Sequence, residues 1–267
     1  MKAYAKVNLA LVVGERRADG LHEVATVVQR IDLADEVELE HASGLEVDGF
    51  PEDTLVRTAL ERLAGATRVE PAWRVRITKR IPVAAGLGGG SADAGAVLAA
   101  ANAALERPLR RERLIELAAS VGSDVPFFLE PAPKLAEGAG ERLTALQLPQ
   151  DFFVVVAVER GAEKRSTAEV YSRFDELGGG PGFEERRRLL AEALWGGDLA
   201  ALPPNDLAAA AGRPQAVAHL IAAGAFRADV SGAGPAAYGL FRELPQGEAA
   251  AAELRSRADV WVVKPVW

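Results

Sequence analysis

Pro82-Val83-Ala84-Ala85-Gly86-Leu87-Gly88-Gly89-Gly90-Ser91-Ala92-Asp93-Ala94 is the stretch on which the reading of this chain turns. Before it, Trp73 to Ile81 (WRVRITKRI) alternates apolar with mostly basic residues, the period of a half-exposed strand. After it, Ala92 to Leu105 is rich in alanine, with Val97, Leu98, Ala101 and Leu105 on one helical face. Glycines therefore lie between a strand and a helix start. Four glycines within positions 86–90 cost chain entropy, and what they return is a backbone that takes positive φ and approaches a ligand closely. The first N–H groups of the following helix lack intrahelical partners and sit at the positive end of its dipole. That combination makes an anion site, and a phosphate chain is the anion that suits it. The plainer reading is a surface glycine loop capped by Ser91, but three contiguous glycines would make a loose cap. No Gly-Lys-Ser/Thr closes the stretch, so it is not a P-loop, and Ser91 stands where the dinucleotide fingerprint has its third glycine.

The chain has 267 residues, enough for one large or two ordinary domains with a core that needs no staples. Apolar residues make up 49% and charged residues 26%, an ordinary globular balance. The net charge of −7 disfavours a general nucleic-acid binder and still permits a local basic cleft for phosphates. There is no cysteine, which excludes disulfides, thiolate nucleophiles and cysteine zinc sites, and a cytoplasmic location is the expectation. His22, His41 and His219 are not at ligand spacing, so no structural metal is expected. No apolar run reaches the length of a membrane span, and a strand pattern that starts within the first few residues leaves no room for a signal peptide.

Ala3 to Gly14 reads as a strand with Ala5, Val7, Leu9 and Leu11 on one face and Tyr4, Lys6, Asn8 and Ala10 on the other. Lys6 and Asn8 mark either a solvated edge or a polar site on an otherwise apolar strand. A turn at Asp19-Gly20 precedes His22. Val24 to Ile31 and Glu36 to Glu40 read as strand with a break at Asp32 to Asp35, and Thr54 to Leu63 as helix. A second helix is expected over Leu105 to Ser120, followed by Gly122-Ser123-Asp124-Val125-Pro126-Phe127-Phe128. Asp124 there is either a cap or a carboxylate held where water is scarce. Lys134 to Glu141 reads as a hairpin, and Leu148-Pro149-Gln150 as a boundary. Beyond it come a strand at Phe152 to Val158, helices near Glu184 to Trp195, Gln215 to Ala223 and Gly247 to Ser256, and a strand at Val260 to Val266. Ser231-Gly232-Ala233-Gly234-Pro235 is either a hairpin turn or a second glycine loop facing the first.

Four elements thus stand in order: the strand with Lys6 and Asn8, the GLGGGSADA loop, the GSDVPFF segment and the SGAGP loop. Together they resemble the GHMP kinases, small-molecule kinases with a glycine-rich loop at a helix start. The runs AKVNLALVVGERRADGLHEVATVVQRIDLAD, IPVAAGLGGGSADAGAVL and VGSDVPFFL carry the resemblance toward the branch whose acceptor is a cytidine diphosphate-linked methylerythritol. The fold this implies is α+β in two domains, 1–149 similar to domain 2 of ribosomal protein S5 and 150–267 ferredoxin-like. The reaction it implies is transfer of the γ-phosphoryl of ATP, with Mg²⁺, to the 2-hydroxyl of that acceptor in the non-mevalonate route to isoprenoid precursors. The partners are then ATP and the cytidine diphosphate-linked small molecule, with no nucleic acid and no membrane, for a monomer or homodimer. By the same resemblance Pro82 to Ser91 hold ATP, with Gly86 to Ser91 at its phosphates. Asp124 falls on the catalytic aspartate and Lys6 on the lysine beside it at the acceptor hydroxyl, while Asn8 lines that pocket. His22 matches the histidine that reads the cytosine edge, Tyr171 the aromatic near the base, and Ser231 and Gly232 the third conserved loop. Asn205-Asp206 resembles a short asparagine motif of the second domain.

The sequence also departs from that pattern. Leu21 stands where the family usually has tyrosine, which removes one aromatic face for stacking the cytosine. Ala92 replaces a common second serine, Pro235 and Ala236 replace small hydroxyl residues, and Thr54 replaces a frequent asparagine on the adenine side. None of these removes a group that performs chemistry. Phosphoryl transfer needs in-line positioning and charge compensation rather than covalent work, which suits a loop of backbone donors with one acid and one amine at the acceptor. A GHMP kinase for homoserine, mevalonate or a sugar would share the loop but has no reason to carry the Asp19-Gly20-Leu21-His22 element. A non-catalytic nucleotide-binding relative would lose Asp124 or Lys6, and both are present. Glu141, Asp93 and Asp206 are the carboxylates open to a metal, though each also suits a cap or turn.

Overall fold

The computed structural model describes residues 1–50, 54–163 and 165–266. Its contacts divide the chain into two compact units made of interleaved segments. One takes in Met1–Ala5, Leu33–Val83 and Gly88–Pro131; the other takes in Lys6–Asp32, Ala84–Leu87 and Ala132–Trp267. Two long strands, β1 (Lys2–Arg16) and β2 (His22–His41), and the glycine stretch itself run from one unit into the other. The break expected at Asp32 to Asp35 is absent, and β2 is continuous over 20 residues. Its acids are absorbed by tertiary partners: Asp32 accepts from the Lys264 amide at 2.7 Å, and the Asp35 carboxylate is buried and fully hydrogen-bonded.

In the first unit, β3 (Glu46–Asp48), α1 (Thr54–Thr67), β4 (Trp73–Thr78), α2 (Gly89–Ala103) and α3 (Arg111–Val121) follow in order. β4 lies between β3, which runs parallel to it, and the end of β2, which runs antiparallel. The expected alternation holds, with Trp73, Val75 and Ile77 buried and Arg74, Arg76 and Thr78 exposed. α1 buries Val56, Ala59, Leu60, Leu63 and Ala64, a stripe at helical spacing that packs on α2. α2 begins at Gly89, three residues earlier than expected, and ends before Leu105. It is buried on several faces because its small residues admit close neighbours: a Cβ on Gly95 would lie 2.7 Å from the Phe128 Cβ. α3 starts only at Arg111, since Pro108 disfavours helix before it and the Asn102 side chain pins the Leu109 amide at 2.8 Å.

In the second unit, β5 (Lys134–Gly138) pairs with the first half of β2 and with β6 (Arg142–Ala145), which is the expected hairpin. A second, antiparallel sheet follows. β7 (Phe153–Glu159) leads through α4 (Thr167–Glu176), α5 (Phe183–Gly196), the short α6 (Ala208–Ala211) and α7 (Gln215–Ala222) to the pair β8 (Arg227–Val230) and β9 (Ala237–Phe241). Then come α8 (Leu244–Leu254) and β10 (Ala258–Val263), while β11 (Pro265–Val266) returns to β2. The sheet order is β10-β7-β9-β8, the arrangement of a ferredoxin-like βαββαβ layer. Val155, Ala157, Val217, Leu220, Phe241, Ala251 and Leu254 form its core under α7 and α8. A separate cluster of Leu11, Val13, Val24, Val170, Phe174 and Leu207 seats α4 and α6 on β1 and β2. Arg227 is buried with its guanidinium donating to the carbonyls of Leu9, Leu202 and Pro203, so its charge is met by fixed dipoles.

Candidate active site

Lys6 and Asn8 are both buried, so the solvated-edge reading of their strand does not hold. The Lys6 Nζ donates to Asn8 Oδ1 at 2.6 Å, and the Asn8 amide nitrogen donates to Thr26 Oγ1 at 2.8 Å. Thr26 in turn donates to the Ala10 carbonyl, a chain that fixes which end of the Asn8 amide faces the lysine. The SGAGP segment is the loop between β8 and β9, the hairpin reading, and it also touches Gly86 within the same compact unit. Ser231 is fully buried; its hydroxyl accepts from the Asn8 backbone N–H at 3.2 Å and donates to the Gly86 carbonyl at 2.9 Å. Ala236 N–H bonds the Ala85 carbonyl and Lys6 N–H the Leu87 carbonyl, each at 2.9 Å. Gly232, at φ +56, passes so close that a Cβ would stand 3.1 Å from Asn8 Oδ1 and 3.5 Å from Lys6 Nζ. Lys6, Asn8, Gly86, Ser231 and Gly232, expected from sequence, are therefore one cluster.

Asn205 holds this loop from behind. Its side-chain amide donates to the carbonyls of Val230 and Gly232 at 2.9 and 2.7 Å, and its backbone N–H bonds Asp229 at 2.7 Å. Asp206 accepts from the Val13 amide and from Arg186 at 2.8 and 2.9 Å. Burial raises the Asp206 carboxyl above its ordinary value, with those two donors working in the opposite sense. Both contacts fall on Oδ2, which thereby braces β1.

The glycine stretch leaves the second unit at Leu87 and enters the first at Gly88. Gly88, at φ 71 and ψ 21, is the N-cap of α2, and no side chain caps that helix. Ser91 lies within the first turn instead, so the capped-loop alternative does not hold. The first N–H groups of α2 are the unsatisfied donors that an anion site requires. Beneath them Lys79 bridges two fully buried carboxylates, Asp35 at 2.5 Å and Asp93 at 2.7 Å. Asp35 also accepts from the backbone N–H groups of Arg80 and Ile81, which ties the entry of the loop to β2. Burial works against the Lys79 charge, but the two carboxylates outweigh it and hold the ammonium above its ordinary value. Asp93 is thus engaged with Lys79 through Oδ2. Asp124, also in the first unit, is exposed at the start of the turn Val125–Leu129 and makes no capping hydrogen bond with its side chain. Val125, Phe127 and Phe128 are buried, whereas Asp124 is exposed, so it is not held where water is scarce.

His22 opens β2 in the second unit and is buried. It stacks on Tyr171, with ring centroids 4.8 Å apart, and its Nε2 lies 2.8 Å from Asp175 Oδ1. The neighbouring Leu21 is 55% exposed, so no aromatic replaces the missing tyrosine at that position. Sequence reasoning missed Thr26, Lys79, Asp35 and Asp175. Only Asp175 left a signal: Ser166 and Glu169 form a capping box that starts α4, and four-residue spacing then puts Asp175 on the Tyr171 face. Among the described residues no group of three or more acidic or histidine side chains is placed to hold a metal ion. A cavity of about 700 Å³ lined by Ala25, Leu135, Glu137, Glu184, Arg187 and Leu190 holds none of the expected site residues.

Residues 54–130 match the GHMP kinases N terminal domain. Two proteins named 4-diphosphocytidyl-2-C-methyl-D-erythritol kinase, from Geobacter metallireducens and Geobacter sulfurreducens, are each 37% identical to the chain. The first alignment covers 98% of this chain and 96% of the relative, the second 97% and 95%. A crystal structure of 4-(cytidine 5'-diphospho)-2C-methyl-D-erythritol kinase superposes with a TM-score of 0.83 at 33% identity, covering 100% of this chain and 99% of that one. A homoserine kinase from Cytophaga hutchinsonii shares the fold alone, at 16% identity and a TM-score of 0.73. Similarity to these kinases over nearly the whole chain, at 37% identity to the Geobacter relatives and 33% to the solved structure, places the chain in the GHMP kinase family.

Proposed function

We propose that this protein transfers the γ-phosphoryl group of ATP to the 2-hydroxyl of 4-diphosphocytidyl-2-C-methyl-D-erythritol, giving the 2-phosphate and ADP in the non-mevalonate supply of isoprenoid precursors. The observation that carries the reading is the cluster in which Lys6 and Asn8 are locked at 2.6 Å beneath Ser231 and Gly232 and against Gly86, the start of the phosphate loop. Pro82 to Ser91 receive ATP, with the α2 amides at the phosphates. Mg²⁺ carried on those phosphates supplies further charge compensation. Asp124 orients the acceptor hydroxyl and finally takes its proton, a role its exposure permits, and Lys6 works beside it. His22 reads the cytosine edge, with Tyr171 as the aromatic next to the base. Along the sequence we assign residues 1–149 to a first domain and 150–267 to a second, while the compact units cut across that boundary, with Lys6 and Ala84–Leu87 in the same unit as Ser231 and Gly232. The protein is read as cytoplasmic, a monomer or homodimer.

The test offers purified protein ATP, Mg²⁺ and a panel of acceptors: the cytidine diphosphate-linked methylerythritol, homoserine and mevalonate. Turnover of the first alone is expected; preference for another acceptor would move the protein to a different branch of the family. Asp124→Asn should lower kcat by ~10²–10⁴-fold with little change in ATP binding, and Lys6→Met should act in the same sense. Near-normal turnover in Asp124→Asn would remove its role.

A further inference from the structure

α4 grips the His22 ring at three points. Asp175 meets Nε2 at 2.8 Å, Tyr171 stacks at 4.8 Å with 30° between the planes, and Phe174 approaches edge-on at 6.1 Å. Tyr171 and Asp175 are four residues apart and share one face of the helix. Asp175 stands in the last turn of α4, where the helix dipole opposes a carboxylate, so its place there is accounted for by the imidazole it meets. Among the described residues the ring makes no other hydrogen bond.

A neutral imidazole carries one hydrogen, and which nitrogen holds it decides which one can accept. An ionised carboxylate only accepts, so Asp175 draws the hydrogen to Nε2 and leaves the Nδ1 lone pair available. Cytosine carries an amino donor at position 4, where uracil has a carbonyl acceptor. An accepting Nδ1 pairs with the first and is opposed by the second.

We propose that Asp175 is a positioning residue for base specificity: by fixing the hydrogen of His22 on Nε2, it makes Nδ1 an acceptor that takes a cytosine amino group and refuses a uracil carbonyl. This rests on the reading that His22 faces the base. Asp175→Asn is the direct variant, because an amide can donate as well as accept and so releases both tautomers; Asp175→Glu retains the carboxylate and serves as the rescue.

Two readouts decide it. Nitrogen NMR of the histidine rings, which needs no substrate, should show His22 with its hydrogen on Nε2 in the parent protein and a mixture of tautomers in Asp175→Asn. The ratio of kcat/KM between the cytidine substrate and its uridine analogue should fall by about 10-fold or more in Asp175→Asn and recover in Asp175→Glu, with KM for ATP unmoved. A merely structural residue would lower both substrates together. If the parent phosphorylates the cytidine substrate and Asp175→Asn keeps both the tautomer and the base preference, this proposal falls alone. If the parent does not phosphorylate it, the reading of the site falls first and this proposal with it.

Discussion

Gly86→Ala puts the link between backbone geometry and phosphate transfer to its hardest test. Gly86 sits at φ +83, and a Cβ there would lie 2.2 Å from the Ser231 carbonyl oxygen. The left-handed conformation costs an alanine about 1–2 kcal/mol. The clash costs more, because the Cβ is fixed rigidly to the chain and meets a backbone oxygen, so the loops have to part by about 1 Å to regain van der Waals separation. Parting them strains two hydrogen bonds, Ser231 Oγ to the Gly86 carbonyl and Ala236 N–H to the Ala85 carbonyl, both at 2.9 Å. Each buried group left unpaired costs about 1–3 kcal/mol, so a loss of about 3–5 kcal/mol is expected in urea unfolding. A displacement near 1 Å of groups that position a reacting phosphate also costs about 10²-fold in kcat. Gly65→Ala is the control: Gly65 is exposed in α1 with open space at its Cβ position, so this change should stabilise by up to about 1 kcal/mol and leave turnover alone. The reasoning is refuted if Gly86→Ala matches the parent in unfolding midpoint, kcat and KM for ATP.

Ser231→Ala should cost about 2–4 kcal/mol, since the Asn8 amide and the Gly86 carbonyl both lose their partner in a dry interior; faster hydrogen exchange at the Asn8 amide is the local check. Tyr238 gives a prediction at alkaline pH. Its phenol is fully buried, donates to the Leu9 carbonyl at 2.8 Å, and is pushed up by burial to about 12. The unfolded chain releases that proton near 10 and the folded one retains it, so stability should fall as pH rises from about 10 to about 12, by about 3 kcal/mol in all. Tyr238→Phe should flatten that segment of the stability profile, and phenolate absorbance should show one of the three tyrosines titrating late.

Local chemistry was legible in the sequence where a residue's own neighbours along the chain dictate its state. The alternation of β4, the helix from Thr54 and the turn at Asp19-Gly20 each follow from short-range sterics and solvation and appear as read, while the helix after the glycines is there but starts three residues early. Lys6, Gly86 and Ser231 are gathered in one place, which the family resemblance and no local pattern pointed to. Tertiary structure decided the rest, because it sets which groups lose water and which gain a distant partner. A strand that looked interrupted by acids is continuous, since Asp35 found Lys79 and two backbone amides. Asp93 and Asp206, open to a metal on paper, are engaged with Lys79 and Arg186. Asp175, whose helix face was legible but whose partner was not, meets an imidazole from 153 positions away. Backbone preferences act over a few bonds and are written in the order of residues, whereas the pairing of buried charges depends on which segments the folded chain brings together.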